Sequence, residues 1–200
     1  MIVAVDGLDG SGKSRFAAAL AAACAADGAP AALWHVDDFR RDLDFAGLDA
    51  EAEAALYYER YFDLAALDRE LAPFAEGGSG AGKLAIVEGV LTLRIPVVAS
   101  AAALIALTVE AGEARRRILE RDRAKGRTDQ EIERRIARRY FPARARYRAE
   151  CDPEARADAV VDNHDWRAPR LLRLARARLP GPVERALARL VGGGARAGTG

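Results

Sequence analysis

The segment that most constrains this chain runs from Met1 to Ala26: the apolar "MIVAV", then "DGLDGSGKS", then the alanine-rich "RFAAALAAACAA". A short run that is apolar throughout reads as a strand covered on both faces. The alanine-rich run, closed by Gly28, reads as a helix. The loop between them carries Gly7, Gly12, Lys13 and Ser14 in the spacing GxxxxGK[ST]. Glycines there admit positive φ and a close backbone approach, so successive amides and the helix N-terminus can surround phosphate oxygens. Lys13 adds positive charge at the β and γ phosphates, and the Ser14 hydroxyl can ligate magnesium. Gly7, Asp9, Gly10, Ser11, Gly12, Lys13, Ser14 and Arg15 together form the expected nucleotide-binding segment, for ATP or GTP with Mg2+.

The rest of the chain alternates strand and helix, which predicts an α/β fold around a mostly parallel sheet. "AALWHV" reads as a second strand ending at Asp37 and Asp38, "LAIVEGVL" as a third interrupted by Glu88, "ALIALTVE" as a fourth and "ADAVVDN" as a fifth. A helical pattern spans Asp49 to about Phe74, with Tyr57, Tyr58, Tyr61 and Phe62 clustered in its middle. A second, arginine-rich helical stretch runs from Glu113 to Glu150, with a break at "KGRTD". "EGGSGAGK" reads as a flexible loop. Past Asn163 the sequence reads as two short basic amphipathic helices around "PGP", then a glycine-rich end. The expected division is one domain over 1–163, a basic helical extension over 164–190 and a disordered tail over 191–200.

Composition narrows the function classes. With 200 residues, half of them hydrophobic, the chain suffices for one substantial core. Its 31 basic and 30 acidic residues nearly cancel, which argues against a nucleic-acid partner. Cys24 and Cys151 stand far apart without a CxxC or Cys/His cluster, so neither a zinc site nor a disulfide framework is expected. No signal peptide or membrane-length apolar run is present, and we expect a soluble cytoplasmic protein with no membrane partner. The sequence does not fix the oligomeric state and is compatible with a homo-oligomer. "DNHD" at 162–165 is not the base-reading NKxD of GTPases, and the LSGGQ signature of ABC ATPases is absent. The third strand ends in Glu88 and Gly89, where many motor ATPases carry an aspartate. These absences point to a small kinase.

"VDGLDGSGKS", "VDDF", "IVEGVL", "ERDRAKGR" and "ECDPEARADAVVDN", in that order, resemble the uridine kinase-like branch of P-loop kinases, which includes phosphoribulokinase relatives. The resemblance covers nearly all of residues 1–163. It implies a three-layer fold with a five-stranded parallel sheet in the order 2-3-1-4-5 and a helical lid at about 121–130. It also implies transfer of the γ-phosphate of ATP or GTP to a hydroxyl of a small acceptor. By the same resemblance, Asp37 orients the acceptor hydroxyl and accepts its proton, with the adjacent Asp38 as the alternative. Glu88, with Ser14 and Asp37, belongs to the metal's surroundings. Arg121 and Arg127 match lid arginines that act with Lys13 on the transferring phosphate. The lid run is one residue shorter than the family's, so Arg123 competes for that role.

Uridine kinases carry a tyrosine and histidine motif before strand three, and here that segment is "FAEGGSGAGK". His35 and His164 stand at strand ends elsewhere. Tyr57, Tyr58, Arg60 and Tyr61 are candidates for the acceptor pocket, because aromatic faces stack on bases and arginine binds phosphate or carboxylate. The substrate set is thus Asp37, Asp38, Tyr58, Arg60 and Tyr61. The leading acceptor is a nucleoside 5′-hydroxyl. A sugar phosphate or vitamin precursor is the alternative, and a nucleotide-binding regulator without an acceptor is the reading from another class.

Overall fold

The computed structural model describes residues 1–75, 83–175 and 178–192. In chain order the elements are β1 (Ile2–Gly7), α1 (Lys13–Ala26), β2 (Ala31–His35), α2 (Ala50–Arg60), α3 (Leu64–Ala75), β3 (Leu84–Gly89), α4 (Pro96–Ala101) and β4 (Ala103–Thr108). There follow α5 (Ala111–Arg123), α6 (Asp129–Arg135), α7 (Phe141–Cys151), α8 (Pro153–Arg156), β5 (Ala159–Asp162), β6 (Arg170–Leu174) and α9 (Gly181–Gly192). The strands form one sheet in the order β2-β3-β1-β4-β5-β6. The first five are parallel in the expected order, and β6 adds an antiparallel edge.

Side-chain alternation along the strands divides the interior in two. Val3 and Val5 of β1, with Ile86 and Ile105, face Phe16, Leu20 and Cys24 of α1 and Val183 and Leu187 of α9. Ile2 and Ala4, with Val87 and Leu104, face the other layer, built from α2 to α7. All strand residues of β1 and β3 are buried, as a parallel sheet covered on both faces requires. Cys24 is a buried free thiol and Cys151 a half-buried one. No helix among the described residues is long and apolar enough to cross a membrane.

The region past Asn163 departs from the sequence reading. Residues 170–174 are a strand and not the first of two helices: Asp162 pairs with Arg170 and Val160 with Arg173, with a bulge between Val160 and Val161. Pro169 disfavours a helix entering this segment, and the open edge of β5 offers backbone partners that an isolated basic helix lacks. The second helix does form, as α9, and its apolar face completes the core over α1. It reaches Gly192, so Val191 and Gly192 are helical and not the start of a tail. The glycine-rich loop at 76–82 and the tail at 193–200 lie outside the described residues. The long helical stretch from Asp49 divides into α2 and α3. The one from Glu113 divides at a turn where Gly126 has a φ of 81°, after which Thr128 and Glu131 form a reciprocal N-terminal cap on α6.

Candidate active site

β1 ends on the sheet's central axis and delivers the loop 8–12 to the N-terminus of α1. Gly10 and Gly12 have φ of 80° and 86°. A Cβ on Gly10 would lie 2.4 Å from the Ala114 carbonyl oxygen, and one on Gly12 would lie 2.7 Å from Asn163 Nδ2. No other residue fits either position, so the loop is held as an open cradle of amides. The Ser11 hydroxyl is buried there without a hydrogen-bond partner among the described residues. Lys13 Nζ donates to the Leu8 carbonyl at 3.0 Å and so lies folded over the loop. A cavity of about 420 Å³ opens on this cradle, lined by Gly10, Lys13, Ser14, Arg117, Arg121 and Trp166.

Two residues that brace this cradle were not assigned to the site from the sequence. Arg117 donates to the carbonyls of Gly10 (3.4 Å), Asn163 (3.1 Å) and His164 (2.5 Å), and its Nε is held by Glu113 at 2.7 Å. Asn163 Nδ2 donates to the Ser11 carbonyl at 2.7 Å. Together they tie the loop, α5 and the end of β5 into one frame. Arg15 lies over Trp166, its guanidinium carbon 3.4 Å from the ring centroid, at the mouth of the cavity. An aromatic face at this position suits a planar base.

A second, smaller cavity adjoins the loop at Asp9. Asp9, Asp37, Arg121, Arg127, Tyr57 and Tyr61 line it. Asp9, assigned from the sequence to the nucleotide loop, thus turns its side chain toward this space and stands within electrostatic range of Asp37. Burial raises the Asp9 carboxyl above its ordinary value, against the lowering influence of Lys13 and Arg121. Asp37 belongs to a single turn of 3-10 helix, Val36–Phe39, that follows β2. Arg40 holds that turn by donating from Nε to the Asp37 carbonyl at 2.7 Å, with its other nitrogen 3.6 Å from the carboxylate.

Arg121 and Arg127 share one anchor. Arg121 Nε donates to Asp122 Oδ1 at 2.7 Å, and Arg127 Nη1 sits 3.2 Å from Oδ2. Asp122 is 1% exposed. Burial works to raise its carboxyl, and the bond from Arg121, helped by Arg127 and Lys125, nevertheless holds it below the ordinary aspartate value. Arg123 is turned away, bonded through both Nε and Nη2 to the exposed Asp129. The geometry therefore separates the three lid arginines that the sequence left together.

Glu88 stands at the C-terminal end of β3, opposite Val5 of β1 and His35 of β2 in the sheet register. It is buried, and His35 Nδ1 lies 2.6 Å from its Oε1, within hydrogen-bond distance. His35 thus has a place in the site that its sequence context did not suggest. Among the described residues no three His, Cys, Asp or Glu side chains converge as a metal cage. Ser14 and Glu88 are oxygen donors of the kind that a hard cation such as magnesium takes, and would help to hold one here together with phosphate and water oxygens.

Three of the expected acceptor residues lie elsewhere. The Tyr58 ring is packed between the guanidiniums of Arg94 (4.1 Å) and Arg146 (4.4 Å), and its hydroxyl donates to Glu150. One residue along a helix turns the side chain by about 100°, so Tyr57 enters the cavity and Tyr58 the seam with α7. Arg60 is exposed and Asp38 is exposed, and neither lines a described cavity. Tyr61 does line the site, stacked on Tyr57 with centroids 4.8 Å apart. Beneath everything lies a buried knot: Asp6 accepts from Thr92 Oγ1 (2.7 Å), Tyr147 (2.9 Å) and Arg144 (2.5 Å). It locks the end of β1 to α7 and so sets where the loop begins.

No protein-family model matches the sequence, and no curated protein matches it. Solved structures do. The chain is similar to a "putative fructose transport system kinase" from Silicibacter sp. TM1040, 25% identical over 74% of this chain and 84% of that one, with a TM-score of 0.57. It shares its fold with a "possible uridine kinase" from Bacillus stearothermophilus, 19% identical over 80% of this chain and 87% of that one, with a TM-score of 0.59. The fold is that of a P-loop kinase. These two neighbours are of the uridine kinase and phosphoribulokinase type, the branch that the sequence motifs resemble.

Proposed function

We propose that this chain transfers the γ-phosphate of Mg-bound ATP to a hydroxyl of a small acceptor. The observation that carries the reading is the placement of Asp9, Asp37, Arg121 and Arg127 around one small cavity directly beside the loop of Lys13. In the transfer, the acceptor oxygen forms a bond to the γ-phosphorus as the bond to the β–γ bridging oxygen breaks and ADP departs. Asp37 orients the hydroxyl and receives its proton. Lys13, Arg121 and Arg127 neutralise the equatorial oxygens in place, and most of the rate enhancement comes from this preorganised charge. Magnesium, which Ser14 and Glu88 would help to hold, would supply charge withdrawal from the phosphate oxygens. Asp122 acts through the two arginines it holds.

The resemblance to uridine kinases favours a nucleoside 5′-hydroxyl. A second reading, a non-nucleoside metabolite, draws support from the arginine-lined space beyond Tyr61 described below. The test is ADP release from Mg·ATP across nucleosides, nucleoside monophosphates, sugar phosphates and pantothenate. Stimulation by at least one acceptor is the expected result. Nucleotide binding with no acceptor stimulation would contradict the kinase reading and favour a regulator.

A further inference from the structure

Beyond Tyr61 lies a cavity of about 420 Å³ whose chemistry the transfer step does not use. Arg41, Arg134, Arg135 and Arg139 line it, with Phe45 and Tyr61 as its apolar wall. It shares Tyr61 and Arg135 with the cavity that holds Asp37, so one small molecule can occupy both.

The arginines are built in place. Glu53 of α2 is fully buried and meets Arg139, Arg138 (3.0 Å) and Arg134 (3.3 Å) at once. Burial works to raise the Glu53 carboxyl, yet Arg139 and its neighbours hold it below the ordinary value. One carboxylate against three guanidiniums leaves an excess of two positive charges at that corner. Arg139 is 12% exposed and its guanidinium carbon stacks 3.7 Å over the Phe45 ring, so its fork is fixed in direction. Arg41 is paired with Asp63 at 3.0 Å. Arg135 has no carboxylate within salt-bridge range among the described residues, and its bond goes to the Tyr140 hydroxyl. Two acids also line the space: Asp44 is engaged by the Ala46 amide at 2.8 Å, and Asp42 is exposed at the rim.

We propose that this cavity binds the anionic end, phosphate or carboxylate, of the acceptor whose hydroxyl meets Asp37. Arg135 is half-buried, with Glu131 in electrostatic range but no carboxylate within ion-pair distance among the described residues, so an acceptor that brings its own anion meets donors there that a neutral acceptor would leave unused. A planar fork matches two oxygens of a phosphate or carboxylate at once, where a sugar or base edge offers no such charge. The acceptor is then an acid or a phosphorylated small molecule, and not an uncharged nucleoside. This assignment rests on the kinase reading for the word acceptor; the anion site itself does not.

The experiment has two arms. In the first, the loop is filled with Mg·AMP-PNP and inorganic phosphate is titrated by calorimetry. Wild type should bind phosphate, Arg135→Gln should weaken it at least tenfold, and Arg135→Lys, which keeps the charge and loses the fork, should fall between the two. Arg185→Gln, on α9 in the opposite layer, should not change it. No phosphate binding in wild type, or equal binding in Arg135→Gln, overturns the site. In the second arm, matched pairs are compared for ADP release: nucleoside against nucleoside monophosphate, and pantothenol against pantothenate. The charged member should be preferred, with its KM raised about tenfold by Arg135→Gln at an unchanged KM for ATP. Preference for the phosphate or the carboxylate pair separates the two anion classes. Equal or better kcat/KM for neutral members overturns the proposal. Phosphate binding without turnover of any acceptor supports the anion site and counts against the kinase reading alone.

Discussion

The two sides of the proposed transfer site are built in different ways. The nucleotide side centres on one contiguous loop, residues 7–14, whose shape follows from two glycines at positive φ and the first turn of one helix, with Arg117 and Trp166 as outer walls. The acceptor side is assembled from the loop after β2, α2, the α5–α6 turn and the residues that follow α6, and it is held by two buried carboxylates, Glu53 and Asp122. A local site tolerates change elsewhere in the molecule, whereas an assembled one inherits every shift in the elements that form it. Changes in the loop should therefore strike nucleotide affinity, and changes at the carboxylate anchors should strike turnover and stability together.

The largest effect should come from Lys13→Ala, a loss of about 1,000-fold in kcat with a clear weakening of ATP binding, read by ADP release and nucleotide titration. Unchanged nucleotide affinity would break the distinction on the loop side. Next is Asp122→Asn. It should lower kcat about tenfold by freeing Arg121 and Arg127, with little change in the KM for ATP. It should also cost about 2 kcal/mol of folding stability, below the usual figure for a buried pair because both arginines keep water on their outer faces. Urea unfolding and steady-state kinetics on one preparation test both halves. A kcat loss with no loss of stability would show that Asp122 touches the chemistry directly.

A smaller effect concerns the frame between the two sides. The hydrogen bond from Arg116, supported by Arg117, holds the Glu113 carboxyl at about 2, below the glutamate value of 4.5. A depressed carboxyl adds stability that is fully present above its unfolded value and is lost as pH falls through its folded value. Between pH 4.5 and 2, stability should therefore fall less steeply in Glu113→Gln than in wild type, as followed by denaturant unfolding across that range. An unchanged slope would remove Glu113 from the account. Smaller again is a change in Trp166 fluorescence on adding ATP to a Trp34→Phe background, since Arg15 now covers that ring.

The same contrast governs what could be read from the sequence. The strand, loop and helix around Lys13 are adjacent in the chain, and so were the five parallel strands, whose apolar runs mark them one by one. The sequence put Asp37 and Asp38 together after a strand, and only the fold separates them, by bringing Asp37 to the cavity of Asp9 and Arg121. Tyr58 and Tyr57 were not separable, since one position on a helix decides which faces the cavity. Arg117, Asp122, Glu53 and Arg135 sit among many charged residues of identical appearance, and their roles depend on contacts across the fold: Glu53 meets Arg139, 86 positions away. β6 was read as helix because its basic and apolar residues suit either element, and only the open edge of β5 decides the matter.

The central claim is that Asp37 serves the acceptor and Lys13 the nucleotide. The most direct test is Asp37→Asn, with ATP affinity and acceptor-dependent ADP release measured on the same protein. The account predicts ATP binding within twofold of wild type and a loss of transfer of about 100-fold or more. Transfer near the wild-type rate, or a loss of nucleotide binding as large as that of Lys13→Ala, would contradict it.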